Sequence, residues 1–502
     1  MSFYLVLAIF CSALGMFQLG LNRTAMNQPQ YEIEQFLNQT FKERYGIQLT
    51  KNTMSTYFSL AVSIFMVGGI VGALLAGMVA NKCGRRNGLL YIQVFSIFGA
   101  ILQGCCKYLS SYEALLIGRV LTGISGGLSE GLCKLYVGEI APKSIRGASG
   151  TVNVLGYTFG ALIGNILGMS QILGHEKTWP YLLALPLVPS MVQVVILPFA
   201  PESPRYLYLS KGRISEAKES LIRLRNTDEV TTDMMSLQME EQTHCDDKEF
   251  TILDLLLSKN HRLSLFVGIC LYISKPLTGL TALQSYSTEF FKSVGLSNQK
   301  SEYLTISMSS LSVMATIVVI PLMDRVGRRI LHLTGLGGIA LSLITITIGL
   351  NLNSSHDGTI VATSSALLMV FYVIGPGTIP GLATGEIFIQ GPRGAANSIC
   401  IFLSWAGAIL VSLIFPQLMS YFYNYSFVPF TICDILLFIL AMIYFPETKN
   451  KSSRELTVLF QMPNAWKTAI GFIRASFRRV TQSPSTLKSD HDYGSISQAI
   501  PP

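Results

Sequence analysis

Long stretches without a charge alternate with short polar ones along almost the whole chain. Apolar runs of about twenty residues, the length a helix needs to cross a bilayer, fall near 3–24, 56–80, 88–106, 113–135, 149–170, 180–200, 263–287, 302–323, 331–350, 361–386, 396–420 and 427–445. They predict an all-α membrane protein with twelve transmembrane helices. The first run lacks the basic leader and the small-residue cleavage site of a signal peptide, so it is read as a retained span. One polar stretch, 201–262, divides the runs into two sets of six. Within it the stretch from Ser215 to Arg225 has helix-forming composition and apolar residues about one turn apart, which predicts short cytoplasmic helices.

Composition agrees with the pattern. Half of the 502 residues are hydrophobic and 13% are charged, about half the charge of a soluble domain. The net charge of +8 lies in short loops, so it carries no nucleic-acid signal. Lys82, Arg85, Arg86, Lys143, Arg146, Arg325, Arg328, Arg329 and Arg393 occupy alternate loops. By the positive-inside rule those loops and both termini are cytoplasmic. The expectation is a multi-pass protein of the plasma membrane. The opposite loops carry glycosylation sequons at Asn38, Asn353 and Asn424. The nine cysteines fall mostly within spans and show no metal-ligand spacing; they read as small core hydrophobes. No nucleophile–base pair, phosphate loop or metal-ligand cluster stands out. Neither an enzyme, a cofactor, a metal nor an obligate protein partner is therefore expected, only a small solute and the lipid bilayer.

The chain repeats itself. Asn81 to Arg86 (NKCGRR) answers Asp324 to Arg329 (DRVGRR), an offset of 324 − 81 = 243. Gly138-Glu139-Ile140 answers Gly385-Glu386-Ile387, offset 385 − 138 = 247, each followed by an Arg-Gly pair at Arg146 and Arg393. Pro201-Glu202-Ser203 answers Pro446-Glu447-Thr448, offset 446 − 201 = 245. Equal offsets imply parallel repeats about an axis along the membrane normal, with the solute near the midplane between them. The division expected is a six-helix half at 1–200, a cytoplasmic linker at 201–262, a second half at 263–445 and a tail at 446–502. Glu139, Glu202, Glu386 and Glu447 are placed to meet Arg85, Arg86, Arg146, Arg328, Arg329 and Arg393. Together with Arg205 they predict a cytoplasmic gate that closes in one state and breaks in the other. Static topology signals and helix capping are the alternative.

At these motifs the chain resembles the sugar-porter branch of the major facilitator superfamily, most of all the animal facilitative glucose transporters. The likeness runs from Phe17 to Lys449. It rests on Phe17-Gln18, Gly20 and Asn22, on Gly118-Arg119, Tyr136 to Glu139, Pro201 to Arg205, Gly375-Pro376-Gly377, Ile379-Pro380, Gly391 to Arg393 and Pro446 to Lys449. It implies the major facilitator fold and facilitated diffusion of a hexose or sugar-like solute by alternating access. Proton-coupled members resemble one another in an aspartate just after the glycine matched by Gly20; here Asn22 stands in that neighbourhood, which implies uniport, with Glu130 as the other titratable candidate. Most of the family's sugar contacts are replaced. The matching positions hold Val154, Lys275, Pro276, Thr281, Ser312, Val373, Gly381 and Ser404, while Trp405 is kept. The cavity set expected is Asn22, Glu130, Lys275, Thr281, Ser285, Tyr286, Ser312, Ser404 and Trp405. An organic anion or zwitterion is the alternative solute. A non-transporting nutrient sensor is the other class; the 53 residues after Lys449 (502 − 449) are short for it.

Four charges lie inside spans. Arg23 and Lys134, near helix ends, are expected to snorkel to water. Lys275 and Glu130 lie deeper, on spans that face the cavity in this fold. They predict an ion pair across it, with Glu130 pairing to Lys134 at i+4 as the alternative. Pro276 with Gly279 would break the seventh helix beside the lysine. In the tail, Trp466, Ile470, Ile473 and Phe477 form a helical stripe flanked by Lys467, Arg474 and Arg478. It suggests a basic helix on the inner leaflet, against a poorly ordered tail.

Overall fold

A computed structural model describes residues 2–460 apart from 143–144, 245–251, 353–356, 389, 450, 452–454 and 457–458. Asn353 and the tail stripe lie outside the described residues. In the first half, α1 (Phe3–Thr24), α3 (Lys51–Cys83), α4 (Arg85–Cys105), α5 (Tyr112–Ile140) and α6 (Arg146–Leu167) span singly, and α2 (Gln30–Tyr45) sits between α1 and α3. The sixth span is made of α7 (Trp179–Ala184) and α8 (Leu187–Ile196). The linker supplies α9 (Ile214–Arg225), α10 (Thr231–His244) and α11 (Ile252–Leu257). The second half runs through α12 (Arg262–Leu277) with α13 (Leu280–Ser293), α14 (Asn298–Val326), α15 (Arg328–Asn351), α16 (Asp357–Ile374) with α17 (Ile379–Ile387), α18 (Gln390–Phe422) and α19 (Val428–Tyr444).

These make twelve spans, and ten of them are long and apolar enough to cross a membrane on length and composition alone. The remaining two have separate reasons. α19 has only 17 residues. Besides Glu113 at its exposed first turn, α5 carries Arg119, Glu130, Lys134 and Glu139 along its 29 residues, and that charge lowers its hydropathy. A polar span is costly in lipid, so α5 turns its charges inward.

The halves meet laterally where α3 packs on α18 and α6 on α14. Within the first half, α1 and α6 approach through glycine. A Cβ at Gly20 would strike the Tyr157 carbonyl, and one at Gly160 the Phe17 carbonyl. Small residues at such crossings let backbones touch, the usual source of packing energy between helices in lipid.

The seventh span breaks where Pro276 and Gly279 stand. Pro276 offers no amide to the ladder, and Gly279 adopts φ +76°, a left-handed conformation that costs other residues roughly 1–2 kcal/mol. The break frees the Lys275 carbonyl, because the Gly279 amide turns instead to the Pro276 carbonyl at 3.4 Å. The freed Lys275 carbonyl accepts the Thr278 hydroxyl at 3.0 Å.

Candidate solute cavity

Between the halves lies a cavity of about 120 Å³ with walls from α1, α5, α6, α12, α13, α14, α16 and α18. That is room for on the order of ten waters. Its base is charged. The i, i+4 spacing on α5 puts Lys134 Nζ 3.0 Å from Glu130 Oε1, and the broken seventh span brings Lys275 Nζ to 3.4 Å from the same oxygen. Trp405 donates its indole N–H to Glu130 Oε2 at 3.1 Å. One carboxylate of the first half is thus held by two groups of the second and by a neighbour on its own helix. The cross-cavity pair and the i+4 pair are both present.

Arg23 lies over the other face of the cluster. Its guanidinium sits 5.7 Å from the Trp405 ring centroid and donates to Thr281 Oγ1 at 3.3 Å. This differs from the expected snorkelling. Residues 24–30 are all buried, so the chain beyond α1 seals Arg23 from the outer surface. Lys134 keeps a partly exposed side chain in the cavity beside Glu130, one turn away, and Gly381 leaves it space, since a Cβ there would lie 3.9 Å from Lys134 Nζ.

Of the predicted cavity residues, Glu130, Lys275, Thr281, Ser312, Ser404 and Trp405 line it. Asn22, Ser285 and Tyr286 do not. Asn22 turns its amide to the Gln18 carbonyl at 2.9 Å. The Tyr286 hydroxyl donates to the Ser412 carbonyl at 2.9 Å and its ring packs on Phe415. The cause is helical register. On α13 the cavity face runs through Thr281, Gln284 and Ser287, so 285 and 286 turn away from it. Gln284 and Ser287 were legible from their spacing to Thr281, as were Asn27, Tyr157, Asn165 and Ser309 from theirs on other spans; a list of family contacts hid them.

The outer side is closed across the halves. Asn27 donates to Ser287 Oγ at 2.8 Å, Thr288 donates to Gln28 Oε1 at 3.1 Å, and Ser170 donates to Glu302 Oε2 at 3.1 Å. Deeper, the Tyr157 hydroxyl meets Gln284 at 3.1 Å and Asn165 meets Ser309 at 2.8 Å. On α2, outside the membrane, burial pushes the Glu34 carboxyl above its usual range, opposed by a hydrogen bond from Gln30. On the inner side the helix ends stand apart. A Cβ at Gly138, Gly150, Gly385 or Gly394 would meet open space.

The charges expected at the gate form two matching latches, each within one half. Arg85 meets Glu139 at 2.7 Å, while Glu202 accepts the amides of Arg85 at 2.9 Å and Arg86 at 3.0 Å. Ser203 donates to Glu139 at 2.5 Å. In the second half Arg328 meets Glu386 at 3.1 Å, Glu447 accepts the amides of Arg328 at 2.9 Å and Arg329 at 3.2 Å, and Thr448 donates to Glu386. This modifies the expected gate. Arg329 also donates to the Met442 carbonyl at 2.6 Å and Arg393 to that of Phe388 at 2.9 Å. Arg205 pairs with Glu240 in the linker. The side chain of Arg146 lies outside the described residues. Asn38 sits on α2 and Asn424 in the turn between α18 and α19, on the side where the halves are closed.

Two six-helix halves around one polar cavity, with the same latch at the same end of each, define a membrane transporter of the major facilitator type. Residues 8–460 match the family described as Sugar (and other) transporter, and the chain belongs to it. It is 37% identical over 459 residues to the sheep protein named solute carrier family 2, facilitated glucose transporter member 3, covering 91% of this chain and 92% of that one. The human protein of that name is 36% identical over 461 residues, 91% and 92% of the two chains. Among solved structures, the proton:xylose symporter XylE bound to 6-bromo-6-deoxy-D-glucose superposes with a TM-score of 0.76 at 22% identity, covering 91% of this chain and 99% of that one. The inward-open form of XylE from E. coli gives 0.73 at 22% identity, with 90% and 98% covered.

Proposed function

We propose that the protein is a uniporter that carries a hexose or sugar-like solute across the plasma membrane by alternating access, with both termini in the cytoplasm. The single observation that carries this reading is the cavity. It lies between the halves, is lined by polar groups from both, and is closed outside while the inner helix ends stand apart. Membership of the sugar transporter family and the glucose transporters among its relatives support the solute class. The polar wall supports it too, since a hexose needs several fixed donors and acceptors around its ring.

Uniport is supported by what surrounds Asn22. The fully buried Arg119 guanidinium donates to the Asn22 backbone carbonyl at 2.8 Å and the Ala61 carbonyl at 3.3 Å, and lies 4.4 Å from the Phe65 ring. Among the described residues no carboxylate forms an ion pair with it. Outward travel of the cavity would require the outer hydrogen bonds to break while the inner ends meet. The test is counterflow and net uptake of labelled D-glucose, D-fructose and D-xylose in proteoliposomes, with and without a pH gradient. Saturable uptake that ignores the gradient supports uniport. Accumulation driven by protons sinks it, and no uptake of any sugar or sugar derivative sinks the transporter reading.

A further inference from the structure

We propose that the solute is a monoanionic sugar acid whose carboxylate is held by Arg23. The inference rests on the transporter reading and narrows its solute class. Three cations, Arg23, Lys134 and Lys275, line the cavity against one carboxylate, Glu130. Both lysines already share Glu130, at 3.0 and 3.4 Å. Arg23 has no such partner among the described residues. It donates to one hydroxyl, Thr281, it rests on the Trp405 ring, and its Nε is buried without a hydrogen bond.

A half-buried guanidinium with no ion-pair contact, among three cations facing one carboxylate, is unfavourable, and an anion in the cavity would offset it. A neutral hexose would not. The planar fork of arginine matches one carboxylate through two parallel N–H bonds, a geometry lysine lacks. A single unpaired fork fits a monoanion better than a doubly charged phosphate, which calls for more donors. The rest of the wall suits a polyol: Gln284, Asn165, Ser309 and Ser312 offer amide and hydroxyl groups, and Trp405 offers a ring face. Carboxylate on the arginine and hydroxyls on the neutral wall describe a hexuronate or an aldonate.

The experiment uses the full-length protein in proteoliposomes with labelled D-glucuronate and D-glucose, and unlabelled D-gluconate, glucose 6-phosphate and benzoate as competitors. The expected result is saturable glucuronate uptake, competed by gluconate more strongly than by glucose 6-phosphate or benzoate. Because one negative charge moves per cycle, an inside-positive potential of 100 mV set by potassium and valinomycin should raise equilibrium accumulation of glucuronate about fifty-fold. Arg23→Gln should raise the ratio of the glucuronate KM to the glucose KM at least tenfold. Arg23→Lys, which keeps the charge but loses the fork, should fall between the two, and it also covers the case in which Arg23→Gln does not fold. Glucose uptake with neither uptake of nor competition by sugar acids overturns the proposal and leaves the transporter reading standing. Potential-independent glucuronate uptake, or a KM ratio unchanged in both variants, overturns it as well. Uptake of neither sugars nor sugar acids overturns both readings together.

Discussion

Replacing Glu139 with glutamine removes a charge and keeps the shape, and the structure sets the expected size of the loss. The Arg85 and Glu139 side chains are 9% and 4% exposed, whereas Arg328 and Glu386 in the matching latch are 14% and 27% exposed. Breaking a buried pair by removing one partner costs roughly 3–5 kcal/mol, while an exposed pair is worth about 0.2–1 kcal/mol. Glutamine still accepts the Ser203 hydroxyl and one guanidinium N–H, so the first latch should lose about 3 kcal/mol. The second, with its carboxylate reached by water, should lose about 1 kcal/mol on Glu386→Gln. For a cooperative unit the size of one half, 1 kcal/mol moves the melting temperature by roughly 2 °C. Thermal unfolding in detergent, followed by tryptophan fluorescence, should therefore show falls of about 6 °C for Glu139→Gln and about 2 °C for Glu386→Gln. Equal falls, or a larger one in the second half, would refute the argument that burial separates two latches of the same chemistry.

The cluster at the base of the cavity gives a second prediction. Lys275→Glu sets two carboxylates against Lys134, and Glu130→Lys gathers three lysines, so each single variant should slow sugar uptake tenfold or more. The double swap restores one opposite pair and should recover a measurable fraction, although Trp405 loses its acceptor; a double variant no better than the worse single one would mean that the pair does not link the halves. Asn38→Gln and Asn424→Gln should each remove one glycan, seen as a step in gel mobility of protein made in animal cells and abolished by glycosidase, and two unshifted variants would count against the outer assignment of those loops.

Twelve spans were legible because the bilayer imposes one length and one polarity on each, and α5, in spite of its charges, still read as an apolar run at 113–135. The latch acids were legible because each recurs at one offset. Their partners were less so. Sequence placed Arg146 and Arg393 nearest to Glu139 and Glu386, but the chain folds Arg85 and Arg328 onto them through the turns at Gly84 and Gly327, which have φ of +90° and +104°. Side chains at those turns would run into Glu202 and Glu447. Distance along the chain cannot reveal such a turn. Arg23 was misplaced for a related reason, because span length suggested an outer end at residue 24 while the buried segment 24–30 carries the packed interior further.

The two kinds of contact divide the work of alternating access between them. Each latch ties helices of one half to the loop that leaves it, through Glu202 in one and Glu447 in the other, so each half can tilt as a unit. The contacts that cross the halves are of another sort. The outer ones described above are single hydrogen bonds, worth about 0.5–1.5 kcal/mol each where both groups are neutral, with Ser170 to the Glu302 carboxylate as the charged exception, and they can be exchanged for water when that side opens. At the base of the cavity Glu130 is held by Lys275 and Trp405 of the opposite half. A solute carboxylate held on Arg23 would bring a second negative charge beside this cluster and so weaken the hold of its cations on Glu130. Occupancy then acts on the tie between the halves, which is the differential interaction a ligand must have if it is to shift the balance of two states.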